Sequence, residues 1–422
     1  MEKVSTEIDA PRRRVVVTGT GIISSLGLSG DAVVDSLRHG KSGISLVPER
    51  KELGFRSGLS GVVSGFDGQK RLDRKYRKTL PEYGWWAWDA ICQSLAEAGV
   101  DADSLAEDER TGIIFGNDSS VVTGVDQCDL LRAAGETRGI GSGHIFRLLT
   151  STITLNICTR LRLHGSSWTV SGACASGAMA IGQAADLIAR GRQDRMICGG
   201  AQEISWQSMC SFDAIKAFSL REDAPEKASR PFDQDRDGLI PSGGAAAVFL
   251  EAEDVAKARG AKIIAEVCGY DTASDGYHIS APSGEGMQRA MAGAIRDAGL
   301  QPEQIDLVMA HATSTPVGDV KEAQALCQLF GIEEGKSGPV VAVIKALTGH
   351  EFWMAGASQL VYALLMSRAG FVAGHPNLQN PAPEAAMLRI PTETRPFSPQ
   401  YVLCNAAGFG GTNGCLVVKV ES

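Results

Sequence analysis

Residues 167–191 read SWTVSGACASGAMAIGQAADLIARG, and residues 340–370 read VVAVIKALTGHEFWMAGASQLVYALLMSRAG. Each opens on a short apolar or β-branched run, turns through an elbow and continues at helical period to a closing glycine, which is a strand feeding a helix. In the first, Ser167 to Val170 is the predicted strand, SGACASG the elbow, and about Ala178 to Arg190 the helix. Ala178, Ile181, Ala185 and Ile188 share one face of it, and Gly191 stops it. In the second, Val340 to Ile344 is the strand, KALTGHEFW the elbow, and the helix runs to about Ala369. Leu360, Leu364 and Arg368 fall four apart, and Gly370 ends it. Each unit also has a later strand running into glycines, MICGGAQ at 196–202 and YVLCNAAGFGG at 401–411. The repetition points to an internal duplication, with residues 1–255 as one half and 256–422 as the other. No low-complexity segment separates them.

Further buried strands are predicted at Arg14–Thr18, Gly112–Phe115, Met196–Cys198, Ile263–Val267 and Leu307–Met309. Strands alternating with helices predict an α/β architecture. The chain has 422 residues, 44% of them hydrophobic and 21% charged, enough to bury a core without disulfides. The N-terminal stretch MEKVSTEIDAPRRR has no apolar core of a secretory signal, and no apolar run reaches the length of a membrane span. The ten cysteines fall singly, without CxxC or zinc-type spacing, and read as reduced thiols of a cytoplasmic protein. The net charge of -8 argues against general nucleic-acid binding. Against that background Gln69 to Lys78 holds six cations in ten residues. Such a run is either a solvated helix face or a dock for an acidic partner.

Cys174 is the one cysteine set in an elbow, at the start of a helix whose free N–H groups and dipole favour a thiolate. Taken by itself, a single cysteine is equally a small buried hydrophobe. His311 follows the strand LVMA in HATSTPVGD, with Thr313 and Thr315 beside it. His350 lies five residues after Lys345 in the second elbow, where the pair is able to polarise a carbonyl or carboxylate oxygen. Each histidine taken alone is compatible with an ordinary packed or loop position. The loop GFGGTNG (408–414) leads into the strand CLVVKV rather than a helix and lacks GxxxxGK[ST], so it is not a nucleotide cradle. Its backbone is able to aim an N–H at a developing oxyanion.

Together these stretches resemble the β-ketoacyl-(acyl carrier protein) synthases of the thiolase-like fold, nearest the synthase I and II types of fatty-acid elongation. The shared motifs, in family order, are VVVTGTGIISSLG (15–27), SGACASGA (171–178), EKASRPFDQDRDG (226–238), APSGEG (281–286), HATSTPVGDVKE (311–322), KALTGH (345–350) and GFGGTNG (408–414). The resemblance spans nearly the whole chain. It implies five layers, α-β-α-β-α, built from two pseudo-repeated halves. It implies that Cys174 is acylated from an acyl carrier protein, and that His311 and His350 assist decarboxylation of a malonyl carrier and stabilise the enolate. Lys345 matches the family's active-site lysine. The resemblance further implies that the N–H groups of Cys174 and Phe409 form the oxyanion hole, that Phe409 acts as gate, and that Thr313 and Thr315 meet the pantetheine arm. By the same resemblance, Arg74, Lys75 and Lys78 fall where the family meets its acidic carrier protein. A homodimer is implied, a heterodimer is possible, and neither a metal nor an organic cofactor is called for.

Several positions depart from the family pattern. Ala312 replaces a glycine, Ala407 stands before the gate loop, and Glu351, Phe352, Trp353 and Met354 occupy places usually held by small residues. Gln359 stands where a glutamate normally partners the lysine, which leaves Lys345 with a depressed pKa or with Glu351 as its partner. These changes are either neutral compensation or an altered pocket. Three other readings fit the chain less well. A chain-length partner subunit normally lacks the nucleophile, and a thiolase needs a second cysteine, for which Cys415 is the nearest candidate. A cysteine hydrolase lacks an obvious carboxylate to orient its histidine.

Overall fold

A computed structural model describes residues 12–421. Ten strands form the main sheet: β1 Val15–Ile23, β2 Thr111–Gly116, β3 Ser167–Val170, β4 Arg195–Gln202, β5 Gly244–Ala252, β6 Ala265–Ser274, β7 Leu307–Met309, β8 Val340–Ala342, β9 Tyr401–Gly408 and β10 Thr412–Val420. Their spatial order is β8-β7-β9-β10-β6-β1-β5-β4-β2-β3. Read outward from the centre, one half runs 1-5-4-2-3 and the other 6-10-9-7-8, so adding five to each label converts the first into the second. The pairing directions repeat as well. β1 and β5, and β5 and β4, are antiparallel, while β4 with β2 and β2 with β3 are parallel. The counterparts in the second half pair in the same senses. The halves join edge to edge at Val16–Glu266 and Val17–Ala265.

The helices that cover this sheet repeat in the same way: α1 Glu82–Ala98, α2 Thr152–Leu161 and α3 Ser176–Ala189, then α4 Glu285–Asp297, α5 Gly318–Phe330 and α6 Ala355–Arg368. α3 packs on strands of both halves, and α6 lies against it, so these two form a middle layer. α1 and α2 cover one outer face, α4 and α5 the other. The result is the five-layered α-β-α-β-α arrangement. Three apolar clusters correspond to it, one central and one beneath each outer helix layer.

The middle helices meet through a pair of glycines. A Cβ on Gly177 would stand 2.8 Å from the Ala357 nitrogen, and one on Gly356 would stand 2.5 Å from the Ala178 nitrogen. This reciprocal contact has the form of a local pseudo-twofold, and it explains the small residues that begin both helices. α3 starts at Ser176, two residues before the predicted start, and ends before Gly191 at φ +67°. The second elbow is more than a turn, for it contains a short helix, Lys345–Thr348, and a 3-10 turn, Phe352–Met354. β5 was not anticipated. Its run GAAAVFLEA has little of the usual strand composition, yet all nine residues are buried. Among the described residues no helix is long and apolar enough to cross a membrane. The reading of the N-terminal segment falls mostly on residues 1–11, outside the described ones.

Candidate active site

The first elbow sets Cys174 by local hydrogen bonding and strain. The Ser176 hydroxyl accepts from the Gly172 N–H at 2.9 Å and donates to the Ala173 carbonyl at 2.6 Å. Ala173 takes a left-handed φ of +48°, which costs a non-glycine residue about 1–3 kcal/mol and is supported by those bonds. Cys174 is thereby aimed into a cavity of about 700 Å³ also lined by His311, His350, Thr313, Thr315 and Phe409.

His350 is held through its backbone. Its N–H donates to Ile240 O at 2.7 Å, and its carbonyl accepts from Ser242 N at 2.9 Å. Gly349 lies at φ +74°, where a Cβ would also approach Ile240 O to 2.8 Å, so glycine is required there. The His350 Nε2 sits 3.1 Å from Cys174 Sγ, and the two histidine rings stand edge to face at 5.1 Å. His311 is held from α5. The Glu322 carboxylate accepts from the N–H groups of His311 (2.7 Å) and Ala312 (2.6 Å), and from Asn405 Nδ2 at 2.7 Å. Asp319 accepts from the N–H groups of Ser314 and Phe232. These two carboxylates hold a loop in which Ala312 (φ +25°) and Ser314 (φ +71°) are both strained. Glu322 and Asp319 were given no role by the sequence reading. The signal for them was present in GDVKE, two acids three apart at a helix start following a polar loop.

Burial dominates the electrostatics. It pushes the Cys174 thiol up to about 12, outweighing nearby Lys345, and so overturns the expectation of a thiolate favoured by the helix start. Cys174 precedes the first helical residue, Ser176, and is almost fully enclosed, so its charged form loses the water that would solvate it. Burial, then repulsion by Lys345, drives both His311 and His350 well below the usual imidazole range. The arrangement is a neutral thiol beside a neutral imidazole. Such a pair is able to pass the thiol proton to the ring as a nucleophile forms, and neutral N–H groups are able to donate to an oxyanion.

Lys345 is buried, which lowers it to about 8 against the opposing pull of Glu322 and Glu351. Its Nζ donates to Gln359 Oε1 at 3.2 Å. The Gln359 Nε2 meets the carbonyls of Met309, Ala310 and Asn405 at 2.9–3.0 Å, so a carboxylate in the same pose would turn an oxygen on three carbonyls. Glu351 forms no ion pair with Lys345 among the described residues. It accepts instead from Ser358 Oγ at 2.5 Å and Tyr362 Oη at 2.7 Å, and burial raises it to about 6. The lysine thus has an amide as its contact and carboxylates as more distant counter-charges.

Thr313 and Thr315 join hydroxyls at 3.1 Å on the cavity wall. A Cβ at Gly408 would lie 2.8 Å from the Cys174 nitrogen, which brings the start of the loop bearing Phe409 against the Cys174 elbow. The Phe409 ring, 42% exposed, stacks on Phe212 at 5.7 Å. Arg74, Lys75 and Lys78 lie apart from the cavity on and just beyond an exposed helical turn, Arg74–Arg77, and hold no ion pair among the described residues. Cys415 does not line the cavity. It is buried in β10 among residues of the outer cluster beneath α4 and α5, which removes it as a second nucleophile.

The family models for the N-terminal and C-terminal domains of β-ketoacyl synthase match residues 12–256 and 264–379. The chain is 38% identical over 410 residues to a 3-oxoacyl-[acyl-carrier-protein] synthase 1 of Haemophilus influenzae, covering 96% of this chain and 99% of that protein. Among solved structures it is similar to a β-ketoacyl synthase from Burkholderia phymatum, with a TM-score of 0.91 and 33% identity over 97% of this chain and all of the other. A complex of a type II polyketide synthase acyl-carrier protein with its hexaketide-bound ketosynthase aligns at a TM-score of 0.86 and 27% identity, over 98% of this chain and all of that one. The chain belongs to the β-ketoacyl synthase family and is a condensing acyltransferase.

Proposed function

We propose that this chain elongates a carrier-bound acyl group by two carbons, with Cys174 as nucleophile and His311, His350 and Lys345 completing the catalytic set. The observation that carries the assignment is the 3.1 Å contact between His350 Nε2 and Cys174 Sγ, with His311 edge-on beside it in one cavity. In the first stage the thiol attacks an acyl thioester, His350 takes the proton, and the carrier leaves as a free thiol. In the second, malonyl thioester loses CO2, and its carbonyl oxygen collects enolate charge against the N–H groups of the two neutral histidines. The enolate carbon then attacks the acyl carbon, while the N–H groups of Cys174 and Phe409 receive the oxyanion. Collapse expels the Cys174 thiolate, which is reprotonated, and releases the 3-oxoacyl carrier. The carbanion comes from loss of CO2, so this scheme uses no metal or organic cofactor.

The remaining assignments belong to the same proposal. Thr313 and Thr315 bind the pantetheine arm, and their position on the cavity wall supports this. Phe409 gates the cavity. Residues 1–255 bring the nucleophile, and residues 256–422 bring the histidines, lysine and gate loop. The unpaired cations Arg74, Lys75 and Lys78 dock the acidic carrier. Changing all three to glutamate raises the KM for carrier substrates by about tenfold with kcat retained, an effect that shrinks as salt rises. The working form is a homodimer in the cytoplasm, where ten unpaired cysteines are at home.

Intact mass after incubation with acyl-carrier thioesters tests the assignment. Wild type gains the acyl mass and Cys174→Ala does not, and malonyl carrier then yields a 3-oxoacyl product two carbons longer. Absence of acylation on wild type at every chain length would remove the catalytic reading.

A further inference from the structure

An acyl group on Cys174 needs empty space, and the two sides of the sulfur differ in what they offer. Outward lies the cavity of about 700 Å³ already described. Inward, Cys174 belongs to an apolar cluster with Phe55, Met209, Phe218, Leu239, Phe352 and Trp353. Aromatic rings run through it in sequence: Phe212 on Phe352 at 4.8 Å, and Phe352 on Trp353 at 5.6 Å. Packing of this kind has the density of an organic solid and admits no methylene chain without displacing side chains.

The two inner rings are also fixed. Phe352 holds a φ of +41°, an outlier for a bulky residue, and its ring lies 4.6 Å from that of His350. Trp353 donates its Nε1–H to Ser119 Oγ at 3.1 Å, the partner a buried indole needs. Its carbonyl presses on β4, where a Cβ at Gly200 would stand 2.9 Å away. A second space adjoins the cluster at Trp206. Trp206 packs on the cluster and also lines this second cavity of about 640 Å³, walled in part by Val122 and Ile204. Phe352 and Leu239 of the cluster line the first cavity, Trp206 on its flank lines the second, and Trp353 lines neither.

We propose that Phe352 and Trp353 form a plug behind Cys174 that sets an upper length on the acyl group, admitting only chains short enough to share the outer cavity with the carrier's thiol arm. The proposal rests on the ketosynthase reading above. The substrate class is therefore short acyl thioesters, and removing the indole opens room toward the second cavity.

Wild type, Trp353→Gly and Trp353→Leu are incubated with acyl-carrier thioesters from butyryl to hexadecanoyl, and the single-turnover rate of Cys174 acylation is read by intact mass. Wild type is expected to take dodecanoyl at least about tenfold more slowly than butyryl. The dodecanoyl rate relative to the butyryl rate should rise about tenfold in Trp353→Gly and by less in Trp353→Leu. Hexadecanoyl transfer to wild type as fast as butyryl transfer overturns the plug, as does an unchanged ratio in either folded variant. If the glycine variant does not fold, the leucine variant and the wild-type ladder still decide it. No acylation of wild type at any length removes the ketosynthase reading itself and the plug with it, a result distinct from acylation without a length limit.

Discussion

The two elbows share a plan and differ in filling. Both connect a parallel strand to a middle-layer helix, and their helices touch through the reciprocal pair Gly177–Ala357 and Gly356–Ala178. Counting back three residues from each of those glycines gives Cys174 in one elbow and Trp353 in the other. The first elbow is built of Ser, Gly and Ala, which leaves the sulfur open to a cavity. The second carries Lys345, His350, Glu351, Phe352 and Trp353, a proton-handling group and bulk in the same short stretch. One scaffold is filled in two ways, with Cys174 in one copy and Lys345, His350 and two bulky rings in the other.

The largest test of that division compares the two histidines. His350 shares a hydrogen bond with the sulfur, and His311 has none to it among the described residues. His350→Ala is therefore expected to slow both acylation and condensation, by about 10²–10⁴-fold. His311→Ala should lose condensation to a similar degree while acylating near the wild-type rate. Single-turnover mass measurements of both steps check this, and equal loss of acylation in the two variants would break the assignment.

The helix contact comes next. Gly356→Ala drives a methyl against the Ala178 backbone, which cannot yield as a flexible side chain does. A loss of about 1–3 kcal/mol in urea unfolding is expected, and Gly177→Ala should behave alike if the pseudo-twofold describes the packing.

Glu351 tests whether the second elbow carries a group that titrates with folding. Burial raises its folded pKa to about 6, above an ordinary glutamate at 4.5. A carboxyl raised in this way is protonated in the fold where the unfolded chain is already ionised. Its contribution is therefore complete below pH 4.5 and is lost as pH rises through 6. Glu351→Gln removes that loss. Relative to wild type the variant should gain up to about 2 kcal/mol in urea stability between pH 4.5 and 7, and parallel pH curves for the two proteins would count against it.

The smallest effect is expected at Ala312, held at φ +25° by Glu322 and Asp319. Ala312→Gly relaxes a backbone that glycine adopts freely, and a gain below about 1 kcal/mol in the same assay is expected.

Much of the site was legible in the sequence because its chemistry sits in contiguous motifs. Cys174, His311, Lys345, His350, Thr313, Thr315 and the glycine loop were all named there, and the fold brings them to one cavity, with Lys345 just behind it. The α/β class and the duplication followed from strand and helix periods repeated across the two elbows. β5 was missed because a run of alanines carries no strand period of its own, and its partners β1 and β4 decide its state. Glu322 and Asp319 were missed as anchors because their value lies in which backbone N–H groups they meet.

The ionisation of Cys174 shows most plainly where sequence stops. Position at a helix start predicts a lowered thiol pKa, and enclosure by residues from both halves reverses it. Gln359 is similar. The sequence reports a lost glutamate, and the structure supplies three carbonyls that require an amide. Local order along the chain determined the repeated strand–elbow–helix units and which side chains stand as candidates for the site. Only the tertiary structure decided their protonation, their strain and the space beside the sulfur, because desolvation and packing depend on residues far apart in sequence.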